Sequence, residues 1–215
     1  MKFSPMVTAE DDAPRSMHDA GVRQRRRLML DLPHVAGLTA YAAKLRERGS
    51  VQVPEFDPLD GGTDARVLFL FEKPGPMTAE GGRRTGSGFI SRNNDDASAE
   101  ATFDFMQQAG IPRRLTVSWN VIPWWNGTVR VTKEELREGA IAVRDLIGLL
   151  PNLRAVVMVG QKAAAARPYL ESTGLMLFTS DHPSPKVKAR WRDRWNAIPL
   201  EWAKVRNLLD GREAE

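Results

Sequence analysis

A histidine braced by proline, an asparagine inside an apolar run, and a turn of two prolines and a glycine are the residues of this 215-residue chain best placed to do chemistry. In Asp181-His182-Pro183-Ser184-Pro185 the imidazole is fixed in direction and can supply or withhold a proton near neutral pH. A satisfied loop histidine is the alternative. Asn120 stands between Trp119 and Val121, and a buried amide must find partners in backbone or ligand. Its donor and acceptor lie side by side, which suits the edge of a nucleobase. Glu72-Lys73-Pro74-Gly75-Pro76 is either a rigid turn or a loop whose Gly75 lets a ligand approach the backbone. Phe89, between Gly88 and Ile90 in a polar loop, either anchors that loop or offers a face on which a planar ligand stacks.

The elements that must position these residues alternate along the chain. Residues 21–49 have helical spacing with a break at Pro33. Val67 to Phe71, Leu115 to Ile122, Ala155 to Val159 and Leu175 to Thr179 are short apolar runs that read as strands. Between them, residues 97–109, 133–150 and the alanine-rich stretch after Gly160 read as helices, and 187–209 as a last helix. Thr132 and Glu135 form a capping box at the start of 133–150. Residues 50–65 and 76–94 read as loops. This order predicts an α/β fold: a three-layer α/β/α arrangement around a central, mainly parallel four-stranded sheet. Ligands of such sheets lie beyond the carboxyl ends of the strands. The loops 72–94, 120–127 and 180–186 all follow strand ends, so they should converge on one site. Residues 1–20 read as a loose arm and 21–215 as one domain.

Composition narrows the chemistry. The chain has no cysteine and three histidines, which excludes disulfides, cysteine nucleophiles and thiolate metal sites and disfavours a histidine-built one. No metal and no cofactor is expected. No apolar stretch approaches membrane-spanning length, and the N-terminus lacks a secretory layout, so an intracellular protein is expected; nothing in the sequence suggests an obligate dimer, and a monomer is expected. The net charge is only +4, but it is clustered: Arg23, Arg25, Arg26 and Arg27; Arg83, Arg84 and Arg92; and Lys186, Lys188, Arg190, Arg192 and Arg194. Each cluster alone is a solvated face; three beside Gly-rich loops and tryptophans suggest a phosphate-backbone partner. Trp191 and Trp195, four apart, read as core.

Taken together, Glu72-Lys73-Pro74-Gly75, Phe89, Asn120, Val156-Val157-Met158-Val159-Gly160 and His182-Pro183-Ser184-Pro185 resemble the uracil-DNA glycosylase superfamily over about residues 65–200. The resemblance implies an enzyme of base excision repair that flips uracil out of DNA and hydrolyses its N-glycosidic bond. It implies that Phe89 stacks on the base, that Asn120 reads N3–H and O4, and that His182 supports the O2 on which charge develops. Ser184 and the backbone near Gly75 and Gly160 would hold phosphates. Lys186, Lys188 and Arg190, with Lys73, Arg83 and Arg84, would line the DNA, and Lys186 or Val187 would stand where some members carry a wedge. Two departures matter: Phe71 replaces a usual glycine, and Lys73 stands where many members carry the acid that positions water. Glu72, Asp95 or Asp96 could take the water, or the site could rely on leaving-group stabilisation alone. Other bases (hypoxanthine, xanthine, mismatched thymine), a non-catalytic DNA-binding protein and an unrelated nucleotide-binding protein are the competing readings.

Overall fold

The computed structural model describes residues 7–49, 51–75, 78–79 and 85–209. Arg83 and Arg84, expected at the DNA, lie outside the described residues. The strands are β1 (Glu55–Phe56), β2 (Val67–Phe71), β3 (Phe89–Ile90), β4 (Thr116–Asn120), β5 (Ala155–Val159) and β6 (Met176–Ser180). The helices are α1 (Ala20–Arg27), α2 (Pro33–Arg46), α3 (Ala97–Gln108), α4 (Lys133–Ile147), α5 (Gln161–Ala164), α6 (Arg167–Leu170), α7 (Pro185–Arg190), α8 (Arg192–Ala203) and α9 (Arg206–Leu209).

Four strands form one sheet in the order β4-β2-β5-β6, every pair parallel. The fold is α/β, with helices on both faces of the sheet. Successive side chains of a strand point to opposite faces, and the strands obey this rule strictly. Leu68, Leu70, Val117, Trp119, Val156 and Met158 pack on α2 and α4 through Leu38, Tyr41, Val143 and Leu146. Val67, Phe69, Ala155, Val157 and Val159 pack on the other side, against Phe105 and Met106 of α3 and Trp195, Ile198 and Trp202 of α8. Because the chain runs from β2 to β4 on one side and then crosses to β5 on the other, the strand order reverses around β2. A crevice opens there, at the carboxyl ends.

Three expectations change. The loops 50–65 and 76–94 each contain a short strand, β1 and β3, which pair in parallel. The ribbon is held by Phe56 stacked on Trp119, ring centroids 3.6 Å apart. The predicted helix 187–209 is three pieces: Trp191 takes a non-helical conformation (φ −139°, ψ 72°) that ends α7, and α8 stops at Ala203 before α9 begins at Arg206. The same break parts the two tryptophans: Trp195 is buried, whereas Trp191 is 36% exposed. Finally, residues 7–20 are docked rather than loose. Met17 donates its N–H to the Asn93 carbonyl, and the Asn93 amide donates to Asp12 and to the Ala13 carbonyl.

Candidate functional site

At the carboxyl ends of β2 and β4, under the first turns of α3, lies a cavity of about 330 Å³. This is within the usual range for small-ligand sites. Its wall includes Phe71, Glu72, Lys73, Pro74, Gly75, Asn120 and His182, so three separated stretches of sequence do meet here. The β2 and β4 ends are tied beyond the strands themselves: Val121 N–H donates to the Phe71 carbonyl and Ile122 N–H to that of Glu72.

Asn120 is 4% exposed and its Oδ1 has no partner among the described residues. A buried carbonyl without a donor is costly, of the order of 1–3 kcal/mol, which makes this oxygen a candidate acceptor for a ligand or a water. Asn120 belongs to a stripe. Thr116, Ser118 and Asn120 alternate with Val117 and Trp119 along β4, so the polar three share the face toward α3. Ser118 Oγ is also buried without a partner.

His182 follows β6 and is braced from three directions. Trp202 of α8 donates its indole N–H to Ser180 Oγ at 2.8 Å, and Arg194 holds Asp181 through Nε at 2.7 Å. Pro183 is buried, and Ser184 N–H turns back to the His182 carbonyl at 2.7 Å. Gly160 closes the fourth side at φ +88°, where a Cβ would stand 3.0 Å from that of His182. The imidazole meets Phe71 edge-on, centroids 6.1 Å apart, and its Nδ1 is buried without a partner. Burial lowers the pKa below the ordinary histidine value, against the attraction of Glu72 and Asp96 and with the repulsion of Lys162. The ring is therefore neutral at pH 7.

The other expected residues separate on their geometry. Glu72 is on the cavity wall, its carboxylate paired with Lys162. Gly75 is on the wall too, with free space around a hypothetical Cβ. Lys73 reaches the wall but not solvent: its ammonium donates to Glu135 Oε1 at 2.7 Å, Asn126 Oδ1 at 2.8 Å and the Arg130 carbonyl at 3.2 Å. Those three bonds exhaust its donors, so the expected DNA contact is replaced by an anchor between β2 and the start of α4. Asp96 is on the wall, accepting from Ser98 and Ala99 N–H as the cap of α3; Asp95 turns away to Arg15.

Phe89 is the largest displacement. Its ring is fully buried outside the cavity, among Met17, Val22 and Leu30, so the expected stacking face is not there. One step along β3, Ile90 faces the cavity instead, and the aromatic ring on the wall is that of Phe71. Sequence reasoning also missed Arg92, Asn94, Ser98, Thr102 and Ser118, all wall residues. The signal for Ser118 was available as the alternation in Thr116-Val117-Ser118-Trp119-Asn120.

A second cavity, of about 380 Å³, adjoins the first across Glu72 and His182; its wall includes Gly160, Lys162, Ser184, Lys186, Trp191 and Arg194. Ser184 caps α7, its Oγ 3.4 Å from Val187 N. Lys186, Lys188 and Arg190 are exposed on that helix, while Val187 is buried and therefore no wedge. Arg190 and Arg194 both lie over the Trp191 ring, at 4.9 and 5.0 Å from its centroid. Among the described residues no cluster of histidines and carboxylates could hold a metal ion, and no helix is long and apolar enough to cross a membrane.

The fold and the cavity thus define an α/β protein with a candidate ligand site at the carboxyl ends of a parallel sheet. A solution NMR structure of a Methanosarcina acetivorans protein, provisionally called a uracil DNA glycosylase, is similar at 16% identity and TM-score 0.46, covering 75% of this chain and 99% of that one. No protein-family model matches the chain, and no curated protein does.

Proposed function

We propose that this chain is a DNA glycosylase that takes a uracil or related deaminated base, turned out of the duplex, into the 330 Å³ cavity and hydrolyses its N-glycosidic bond. The observation that carries the reading is the pair of unpartnered buried atoms, Asn120 Oδ1 and His182 Nδ1, on one cavity wall at the strand ends. Asn120 accepts the N3–H of the base and presents its amide N–H to O4; cytosine reverses that pattern and is refused. His182, neutral, holds a donor toward O2. As the C1′–N bond breaks, its electron pair goes to the base, and the positive charge on the sugar faces Glu72 and Asp96. Water adds its hydroxyl to C1′ and its proton passes to the base. A fixed donor at the developing oxyanion contributes about 3–4 kcal/mol in such sites. Phe71 supplies the aromatic wall. Ser184, Lys186, Lys188 and Arg190, beside the second cavity, face the flanking phosphates, and the cost of turning out the base is offset there.

The engagement of Lys73 favours a second reading, a binding protein that recognises damaged DNA without cutting it, because no acid replaces the lysine at that position. One experiment separates the two. Duplexes carrying uracil, hypoxanthine, xanthine or mismatched thymine are incubated with the protein and treated with alkali, with His182→Ala and Asn120→Ala alongside. Strand breaks at one or more of these bases, reduced on the order of a hundredfold in both variants, support the glycosylase. Full activity in both variants refutes the site, and tight binding without breaks establishes the binding protein.

A further inference from the structure

Arg92 is a buried cation that the rest of the protein leaves only partly used. It is 6% exposed and stands on the wall of the cavity beside Asn94, Ser118 and Asn120. Around it, Asp57 is bound by Arg26 at 3.1 Å and by Arg113 at 2.6 Å, and Asp60 is bound by Arg113 at 2.9 Å. Arg26 and Arg113 thus take the close pairings of the two buried aspartates, the half-exposed Asp12 pairs with Arg113 as well, and Arg92 supplies the third positive charge against these three carboxylates only from a distance. Arg92 keeps Asp60 only at 3.9 Å and Thr116 Oγ1 at 3.0 Å, and its Nε has no partner. Its charge balances the network, but its hydrogen-bonding capacity is underused there, and burying a charge costs several kcal/mol unless it is well paired.

What surrounds Arg92 describes a ligand. Asn94 donates its amide to the Phe89 carbonyl at 2.9 Å, which fixes the flip and leaves its Oδ1 buried without a partner. Ser118 Oγ and Asn120 Oδ1 are likewise unpartnered. One wall therefore offers a cationic donor, two amide acceptors and a hydroxyl. A ring that satisfies them carries a carbonyl beside an N–H.

On the base-binding reading above, we propose that Arg92 is a base-recognition residue, donating to a ring carbonyl while Asn120 takes the neighbouring N–H, so that the cavity selects oxo-substituted bases with a lactam or imide edge. An amino group in place of the carbonyl meets the guanidinium donor to donor and is refused. The same contact strengthens as negative charge gathers on the carbonyl oxygen. Thr116 aims the guanidinium, and the Asp57–Asp60–Arg113 network holds the depth at which it lies.

The test measures binding of oligonucleotides that carry 2′-fluoro-deoxyuridine or 2′-fluoro-deoxycytidine, which resist cleavage, to wild type, Arg92→Gln, Arg92→Lys and Thr116→Val. Excision of uracil is measured in parallel. Wild type is expected to prefer the uracil probe, and Arg92→Gln to lose that preference roughly tenfold to a hundredfold through the uracil probe alone. Arg92→Lys keeps the charge without the planar fork, and Thr116→Val keeps the arginine without its guide; both should lose an intermediate amount. If Arg92→Gln does not fold, these two carry the comparison. Absence of preference in the wild type, or equal preference in all folded variants, overturns the proposal. Uracil excision that survives Arg92→Gln unchanged overturns it while leaving the glycosylase standing. Arg92-dependent preference without excision by the wild type supports it while the glycosylase reading falls.

Discussion

Burial strips His182 of the proton that Glu72 and Asp96 would otherwise favour, and this sets how the site should respond to pH. The folded-state pKa lies below the ordinary 6.5, so between the two values the unfolded chain binds a proton that the folded chain does not. Stability from this residue is complete above about 6.5 and declines as pH falls toward the lowered value. Excision should follow the same sign but the folded-state value, level from about pH 8 down past about 6.5 and falling only as pH drops through the lowered pKa. A rate that rises as pH drops through 6.5, as an imidazolium donor would give, contradicts the neutral assignment. At this scale much of the site was legible. His182, Asn120, Glu72 and Gly75 were marked by residue types that do not belong in apolar strands or ordinary turns, and they share one cavity. Lys73 was legible as a departure but not as an anchor, because Asn126, Arg130 and Glu135 lie more than fifty positions away in sequence. Phe89 illustrates the opposite error: a one-residue difference on a strand reverses the face, and Ile90 holds the cavity side.

Among the elements, the four strands and the helices between them were legible because apolar runs and capping residues are local signals. The lengths of the last elements were not. Trp191 ends α7 through its backbone, and nothing in the spacing of Trp191, Trp195 and Trp202 distinguishes a continuous helix from a broken one. The break matters to the site, since α8 can then brace the β6 loop through Trp202, Arg194 and Asp181. On the opposite side of the histidine, the brace is Gly160. Its φ of +88° and the 3.0 Å approach to the His182 Cβ leave no room for a side chain. Gly160→Ala should therefore shift the imidazole, lowering excision about tenfold or more while the protein still folds with a loss on the order of 1–2 kcal/mol. Circular dichroism and the alkaline cleavage assay read the two effects separately. Wild-type activity in a folded Gly160→Ala protein would show that the ring needs no support from β5.

For the molecule as a whole, the decisive structure is a buried ion network that composition could not reveal. A net charge of +4 suggested basic clusters facing a partner, and α7 does expose Lys186, Lys188 and Arg190. Arg26, however, is fully buried, drawn from the first basic cluster to Asp57, and Arg92 of the second is buried in the cavity wall. Both were read as surface charge because sequence shows a charge run without its partners. The network also recruits the N-terminal segment: Arg26 donates to the Asp11 carbonyl, and Asp12 meets Arg113. Burial alone would raise the Asp57 carboxyl, yet the Arg113 and Arg26 charges beside it hold it below the ordinary carboxylate value. Removing that charge leaves the buried Arg26 guanidinium without a carboxylate and takes one of the three carboxylates from Arg113. Asp57→Asn should thus cost about 3–5 kcal/mol, seen as a lowered midpoint in denaturant unfolding with an unchanged slope. Asp95→Asn, which breaks only the exposed pair with Arg15, should cost less than about 1 kcal/mol. If the two variants unfold at the same midpoint, the network is ornamental to the fold. If Asp57→Asn alone falls, the network carries part of the fold, and Arg113 is its junction, joining Asp12 of the N-terminal segment to Asp60, the carboxylate nearest Arg92.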